Sequence, residues 1–233
     1  MTVSENTVQV FDGYVKLHDV MGSDLTVANA ARVSYNKKKD VLDEKDRRLI
    51  QFLAEHGHTS PFRHATLQFE IYAPLMVARQ WWKYVVGSDH IMDGWNESSR
   101  RYITEECEFY IPRTSEWRGK PENSKQGSGD ALSIELGFEL TNALMQHVSE
   151  SVAMYEWAMS VGTCPEQARL FLPAYGMYVR WYWTASLQSV AHLLQQRLNH
   201  DAQKEFQDYA KAVYELAKPH FPFSLEVLVN GVQ

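Results

Sequence analysis

Two neighbouring runs hold the residues best suited to chemistry: Ala78-Arg-Gln-Trp-Trp-Lys-Tyr-Val-Val and Trp95-Asn-Glu-Ser-Ser-Arg-Arg-Tyr102. Gln80, Lys83, Glu97, Ser99, Arg100 and Arg101 fall within about two dozen positions, with Trp81, Trp82 and Trp95 between them. Guanidinium groups grip phosphate oxygens two at a time, and an amide and a hydroxyl add direction. Flat rings nearby suit a base or an isoalloxazine. The combination points to a nucleotide-handling site. The blander reading is a solvated helix and loop with buried tryptophans, and the paired arginines after Asn-Glu-Ser-Ser weigh against it.

Three further clusters carry polar groups that a core would reject. His56-Gly-His58-Thr-Ser60-Pro-Phe-Arg63-His64 brings three histidines close together. A metal reading lacks a carboxylate or cysteine at ligand spacing, and Gly57 breaks any helical face that would aim two imidazoles together. Hydroxyls and backbone groups for a cofactor fit better, with capping and turn duty as the plain alternative. Arg169 stands alone after Pro165, where a surface ion pair is the commoner role. Gln195-Gln-Arg197 through Glu205 ends a helix whose apolar positions are Leu187, Val190 and Leu194.

The elements that must position these residues follow from periodicity. Gly13 to Val20 and Thr66 to Ala73 alternate as half-buried strands, and Met177 to Thr184 alternates likewise. Glu108 to Pro112 is expected to be another short strand. Helices are predicted from Ser23-Asp24 through Ala31, over Leu42 to Leu53 with a stop at Gly57, and from Pro74 through Lys83. Others are predicted over Leu132 to Val161, after Pro165, from a Ser186 cap to Arg197, and over Ala202 to Ala217. Residues 36–40 and 87–94 read as loops, and 114–130, rich in Gly, Ser, Lys and Pro, as a surface loop. Helices and strands mixed without a βαβ rhythm predict α+β, with a mostly antiparallel sheet flanked by helices.

The chain has 233 residues, enough for a single domain spanning 1–233. A net charge of −6 argues against nucleic acid as a partner and leaves the local cations for a small anionic ligand. Two distant cysteines, Cys107 and Cys164, give no disulfide framework, so a reduced, cytoplasmic setting is expected. The opening Met-Thr-Val-Ser-Glu-Asn lacks the features of a signal peptide, and no apolar run reaches membrane-span length.

Eight short matches in fixed order make the chain resemble the flavin-dependent thymidylate synthases. They are Ala31-Arg-Val-Ser34, His56-Gly-His58-x-Ser60-Pro-Phe, Ala78-Arg-Gln-Trp-Trp, Asn96-Glu-x-Ser-x-Arg-Tyr102, Phe109-Tyr-Ile-Pro, Ala168-Arg169-x-x-x-Pro, Trp183-Thr and Arg197-x-x-x-x-Ala-Gln-x-Glu205. The resemblance implies methylation of dUMP to dTMP, with methylenetetrahydrofolate as carbon donor and FAD, reduced by NADPH, as hydride source. It also implies a homotetramer whose subunits share sites. By the same resemblance Gln80, Lys83, Glu97, Ser99, Arg100, Arg101, Arg169 and Arg197 hold the nucleotide, with Arg197 facing the pyrimidine as the catalytic residue. Ser34, His58, Ser60, Lys83, Tyr84, Val85, Glu97, Ser186, Gln188 and His192 approach FAD.

The sequence departs from the family where Arg-His-Arg is usual and Lys83-Tyr84-Val85 stands instead. Lys83 keeps a charge without the planar fork, Tyr84 offers a ring to stack on a flavin, and Val85 offers neither charge nor hydrogen bond. Ser186 and Gln188 replace a common Asn and Arg, and the histidine before Ala-Gln becomes Asp201, with His200 beside it. The alternative is a nucleotide-binding module that has lost flavin chemistry. Carbon-5 methylation of uracil ordinarily uses a thiolate at carbon 6. Neither cysteine has a nearby histidine or basic run in sequence to lower its pKa, so the cofactor is expected to carry the hard step.

Overall fold

A computed structural model describes residues 6–86, 94–99, 107–122 and 127–231. In chain order the strands are β1 (Thr7–Val10), β2 (Gly13–Met21), β3 (Thr66–Pro74), β4 (Gly94–Glu97) and β5 (Tyr178–Ser186). The helices are α1 (Asp24–Arg32), α2 (Glu44–Glu55), α3 (Leu75–Val86), α4 (Ile134–Ser160), α5 (Pro165–Ala168), α6 (Leu187–Arg197), α7 (Lys204–Ala217) and α8 (Pro222–Asn230). The strands form one antiparallel sheet in the order β1-β2-β3-β5-β4. The α+β expectation holds.

Alternation decides which face of the sheet is covered. Leu67, Phe69 and Ile71 of β3 are buried, as are Trp181 and Trp183 of β5, and the register sets Phe69 opposite Trp183 and Ile71 opposite Trp181. Helices α3, α6 and α7 close over this face with Val77, Trp81, Leu187, Val190, Leu194, Phe206 and Val213. At roughly 1.5–3 kcal/mol for each fully buried large side chain, this shared layer supplies much of the driving force for folding.

Local chemistry ends the helices where the sequence predicts. Ser23 and Asp43 cap α1 and α2 with reciprocal capping boxes, and Gly57 takes φ +67° after α2. Three elements escape sequence reading. Strands β1 and β4 are four residues each, too short for a periodic signal. Helix α8 is capped from far away: the buried Asp24 carboxylate accepts from Phe223 N (2.9 Å) and Ser224 N (3.0 Å). In the other direction, Glu108–Pro112 is not a strand. Phe109 forms one isolated bridge to Met177, flanked by single bonds from Tyr178 N to Glu108 O and from Tyr110 N to Gly176 O. Pro112 has no N–H with which to extend the pairing.

The opposite face of the sheet carries a polar cluster. Glu70 accepts from Tyr14 Oη (2.5 Å), lies 2.8 Å from His18 Nε2 and pairs with Arg180 Nε at 3.7 Å. Burial opposes ionisation, but hydrogen bonds from Tyr14, His18 and Tyr182 outweigh it and hold the Glu70 carboxyl down to about 2, from an ordinary 4.5. A depressed folded-state pKa contributes stability above the unfolded value and loses it as pH falls from about 4.5 towards 2. Glu70→Gln is therefore expected to destabilise at neutral pH by on the order of 2 kcal/mol, discounted for the solvent on this face. Urea unfolding across pH should show that gap closing below pH ~4.5; a gap that stays constant would refute the assignment.

Candidate functional site

Strand β3 runs directly into α3, and the first two N–H groups of the helix are satisfied from the chain before β5. Leu75 N donates to Met177 O (2.8 Å) and Met76 N to Tyr175 O (3.0 Å). This joint fixes how α3 lies on the sheet. Val77, Ala78, Trp81 and Tyr84 are buried at helical spacing. One flank of α3 then presents Gln80 and Tyr84, and the other Arg79, Trp82 and Lys83.

The first flank meets the end of α6. Ser186 caps that helix by accepting from Ser189 N (3.2 Å), and its apolar residues hold it against the sheet. Arg197 therefore emerges at the C-terminus, where the helix dipole favours a cation. Its Nε donates to Tyr84 Oη (2.6 Å) and its Nη1 to Gln80 Oε1 (3.2 Å). The guanidinium also lies 5.2 Å over Phe206, within cation–π range, and 5.4 Å from the Tyr84 ring centre, beyond its hydroxyl. The network continues at the start of α7. Gln80 donates to Gln203, Gln203 donates to Glu205 (2.9 Å), and Glu205 accepts from Arg118. Burial raises the Glu205 carboxyl, but the bonds from Arg118 and Gln203 prevail and hold it below the ordinary value.

The second flank walls a cavity of about 640 Å³ lined by Leu75, Ala78, Arg79, Trp82, Lys83, Trp95 and Glu97. Trp82 and Trp95 meet edge to face at 5.2 Å, and Trp95 stacks on Trp181 at 5.0 Å. Glu97 reaches solvent, yet desolvation raises its carboxyl above the usual value, against a hydrogen bond with Trp95 that lowers it. Two cations, a carboxylate and flat aromatic walls suit a planar ligand bearing an anion. An apolar cavity of about 580 Å³ opens on the far side of Gln203 and Glu205, between Tyr110, Trp117, Leu144 and Tyr175.

The other predicted residues spread more widely. Arg100 and Arg101 lie outside the described residues, as does the side chain of Val85. Ser99 follows Ser98, whose N–H donates to Arg180 O (2.8 Å) at the end of β4. Arg169 is exposed on the 3₁₀ turn Arg169–Phe171, packed near α4 and not joined to Arg197 within the protomer. Ser34, His58 and Ser60 are exposed on the turns after α1 and α2. The turn Ser60–His64 packs against α1 and α6. His192 sets its ring edge-on to Tyr84 at 5.7 Å. Gln188 Oε1 is buried without a hydrogen-bond partner among the described residues, an acceptor awaiting a donor. Ser186 is 2% exposed and its hydroxyl is already engaged as the α6 cap. His56 turns away to bond Phe52 O (2.9 Å) and stack on that ring, and no cluster of three metal-binding side chains occurs among the described residues.

Arg118 and Arg79 join these surroundings without having been singled out from sequence as site residues, and Trp82, noted there only as a nearby ring, lines the cavity. Arg79 and Trp82 follow from the helical spacing of Lys83. Arg118 carries no local signal, since it sits within a stretch rich in Gly, Ser and Lys.

Comparison with known proteins identifies the family and the fold. Residues 16–223 match the family model described as thymidylate synthase complementing protein. The flavin-dependent thymidylate synthase of Thermotoga neapolitana is 37% identical over 222 residues, covering 94% of this chain and 91% of that one. The chain belongs to the flavin-dependent thymidylate synthase family. Another member, from Thermus thermophilus, is 36% identical over 219 residues, covering 94% of this chain and 76% of its own. The fold is shared with the UMP/dUMP methylase PolB from Streptomyces cacaoi, solved with 5-Br dUMP bound. That likeness has a TM-score of 0.82 at 24% identity, over 95% of this chain and 96% of that one. No described helix is long and apolar enough to cross a membrane.

Proposed function

We propose that this protein methylates carbon 5 of dUMP to give dTMP, taking the methylene from methylenetetrahydrofolate and the hydride from FAD reduced by NADPH. The observation that carries the reading is the Arg197 guanidinium, anchored by Tyr84 and Gln80 and lying over the Phe206 ring. Such a group, fixed before substrate arrives, stabilises negative charge where it develops. Placed against the pyrimidine, it favours ionisation of the imide and so raises the nucleophilicity of carbon 5. Gln80, Lys83, Glu97 and Ser99, with Arg100 and Arg101, hold the nucleotide. Neither cysteine lines the cavity beside α3 or joins the Arg197 network.

The residues fit a flavin. Gln188 offers an unpaired buried acceptor, Tyr84 and His192 an aromatic corner, and Ser34, His58 and Ser60 accessible polar groups. When bound, the flavin supplies the redox chemistry that no protein side chain can. A homotetramer is part of the same reading. Helix α4 exposes Ile134, Phe138, Met145 and Trp157 at 52–59%, an apolar face that a second copy would cover. Arg169 sits on a turn packed against α4, so assembly is the means by which it would reach a neighbouring subunit's nucleotide.

Lys83→Ala is expected to weaken FAD and dUMP together, by roughly three- to tenfold each, the size of one partly solvated charge contact. Titrations in which both affinities stay unchanged would refute that placement. The reading as a whole is tested by the visible spectrum of the purified protein and by tritium release from 5-tritiated dUMP with folate and NADPH. Flavin absorbance with release supports it. Calorimetry showing dUMP binding with neither flavin uptake nor turnover would favour the binding-module alternative instead.

A further inference from the structure

We infer that Tyr84 is a positioning residue for Arg197: its hydroxyl fixes the guanidinium plane so that the Nη2 edge is held ready for the substrate. The inference rests on the reading of Arg197 given above and adds what the Tyr84 hydroxyl contributes to turnover.

The geometry is that of a three-sided clamp. Nε donates to Tyr84 Oη at 2.6 Å and Nη1 donates to Gln80 Oε1 at 3.2 Å. Phe206 covers the guanidinium at 5.2 Å, and the Tyr84 ring meets it through its hydroxyl end. Among the described residues Nη2 makes no hydrogen bond, so one edge of the fork is unused. A guanidinium with one anchor can pivot about it, whereas two anchors on different nitrogens fix both position and plane. The Nε bond is the shorter of the two and is accepted by the hydroxyl of a ring that is itself held. Tyr84 is 8% exposed and packs edge-on against His192 (5.7 Å) and Phe206 (6.3 Å). The Gln80 amide is shared with Gln203, which makes it the less independent anchor. Orientation errors of about 1 Å cost as much as 10²-fold in rate. The phenol hydroxyl therefore acts on turnover more than on affinity.

The test is a double-mutant cycle in the full-length flavoprotein, with Tyr84→Phe and Arg197→Lys made singly and together. Phenylalanine keeps the ring and its packing and removes only the hydroxyl. Lysine keeps the charge of Arg197 but has no Nε–H to donate. Tyr84→Phe alone is expected to lower kcat by roughly tenfold or more while dUMP Kd, read by calorimetry, moves less than about threefold. In the Arg197→Lys background, Tyr84→Phe should change kcat by less than about twofold.

Three results would overturn the inference. One is an undiminished kcat for Tyr84→Phe beside a crippled Arg197→Lys, which leaves the function of Arg197 standing. Another is an equal loss from Tyr84→Phe in both backgrounds, which means that the hydroxyl acts independently of Arg197. The third is a fully active Arg197→Lys enzyme, which removes the reading of Arg197 and this inference with it.

Discussion

Arg197→Ala is expected to cut turnover by about 10²–10³-fold, or roughly 3–4 kcal/mol of transition-state stabilisation, while flavin absorbance persists. The size follows from preorganisation. Arg197 is already oriented by Tyr84 and Gln80 before any ligand arrives, so little reorganisation is needed at the moment of reaction. Alanine leaves Tyr84 Oη and Gln80 Oε1 without this partner at the end of α6, where solvent can replace it. The fold should therefore lose much less than the reaction does. Flavin should be retained because Gln188, His58 and Ser60, the residues proposed to hold it, lie elsewhere on α6 and on the turns beside it. Steady-state tritium release together with the visible spectrum separates the two effects. A variant that keeps both full turnover and colour would remove Arg197 from the reaction.

Trp81→Ala should be the most damaging change to the fold, costing about 3–5 kcal/mol and lowering Tm by roughly 6–20 °C. Trp81 is fully buried, with ring centroids 5.5 Å from Trp181, 5.4 Å from Trp183 and 5.2 Å from Phe206. It is the core-facing member of the helical turn that presents Gln80 to Arg197 on one side and Trp82 and Lys83 to the cavity on the other. A void there loosens both flanks of the site together, so FAD and dUMP affinity should fall with stability. Trp81→Phe makes a sharper comparison. Among the described residues the buried Trp81 indole N–H has no hydrogen-bond partner, so phenylalanine removes volume and none of the described bonds. It should cost about 1–2 kcal/mol, well below alanine. Equal damage from both substitutions would mean that the indole N–H matters and that the packing account is wrong.

Legibility in the sequence tracked the distance over which each feature is determined. Strands β3 and β5 alternate cleanly because each has one covered face; Pro74 closes β3 just before α3, and Ser186 caps α6 locally. The turn geometry after α2 was equally local, resting on Gly57. Helix α8 escaped because its cap is Asp24, 199 residues earlier in the chain. Strand β4 escaped because four residues cannot display a period. The expected strand at Glu108–Pro112 failed because alternation there ends against a proline. Within the site, spacing along α3 placed Gln80, Lys83 and Tyr84 near one another but did not show that they occupy two flanks with different neighbours. The Arg118–Glu205 pair was invisible, since it joins residues 87 positions apart. The contact between Tyr84 and Arg197 spans 113 positions, and only folding makes the tyrosine a partner of the arginine.

The most direct test of the central claim is a crystal structure of the protein with dUMP and FAD bound, inspected with all subunits assembled. The account predicts the pyrimidine against the free edge of Arg197, with Tyr84 Oη and Gln80 still holding the other two nitrogens and the phosphate reaching Arg101 and a neighbouring subunit's Arg169. A pyrimidine bound away from Arg197, with Arg101, Arg169 and Arg197 on unrelated surfaces of the assembly, would contradict it.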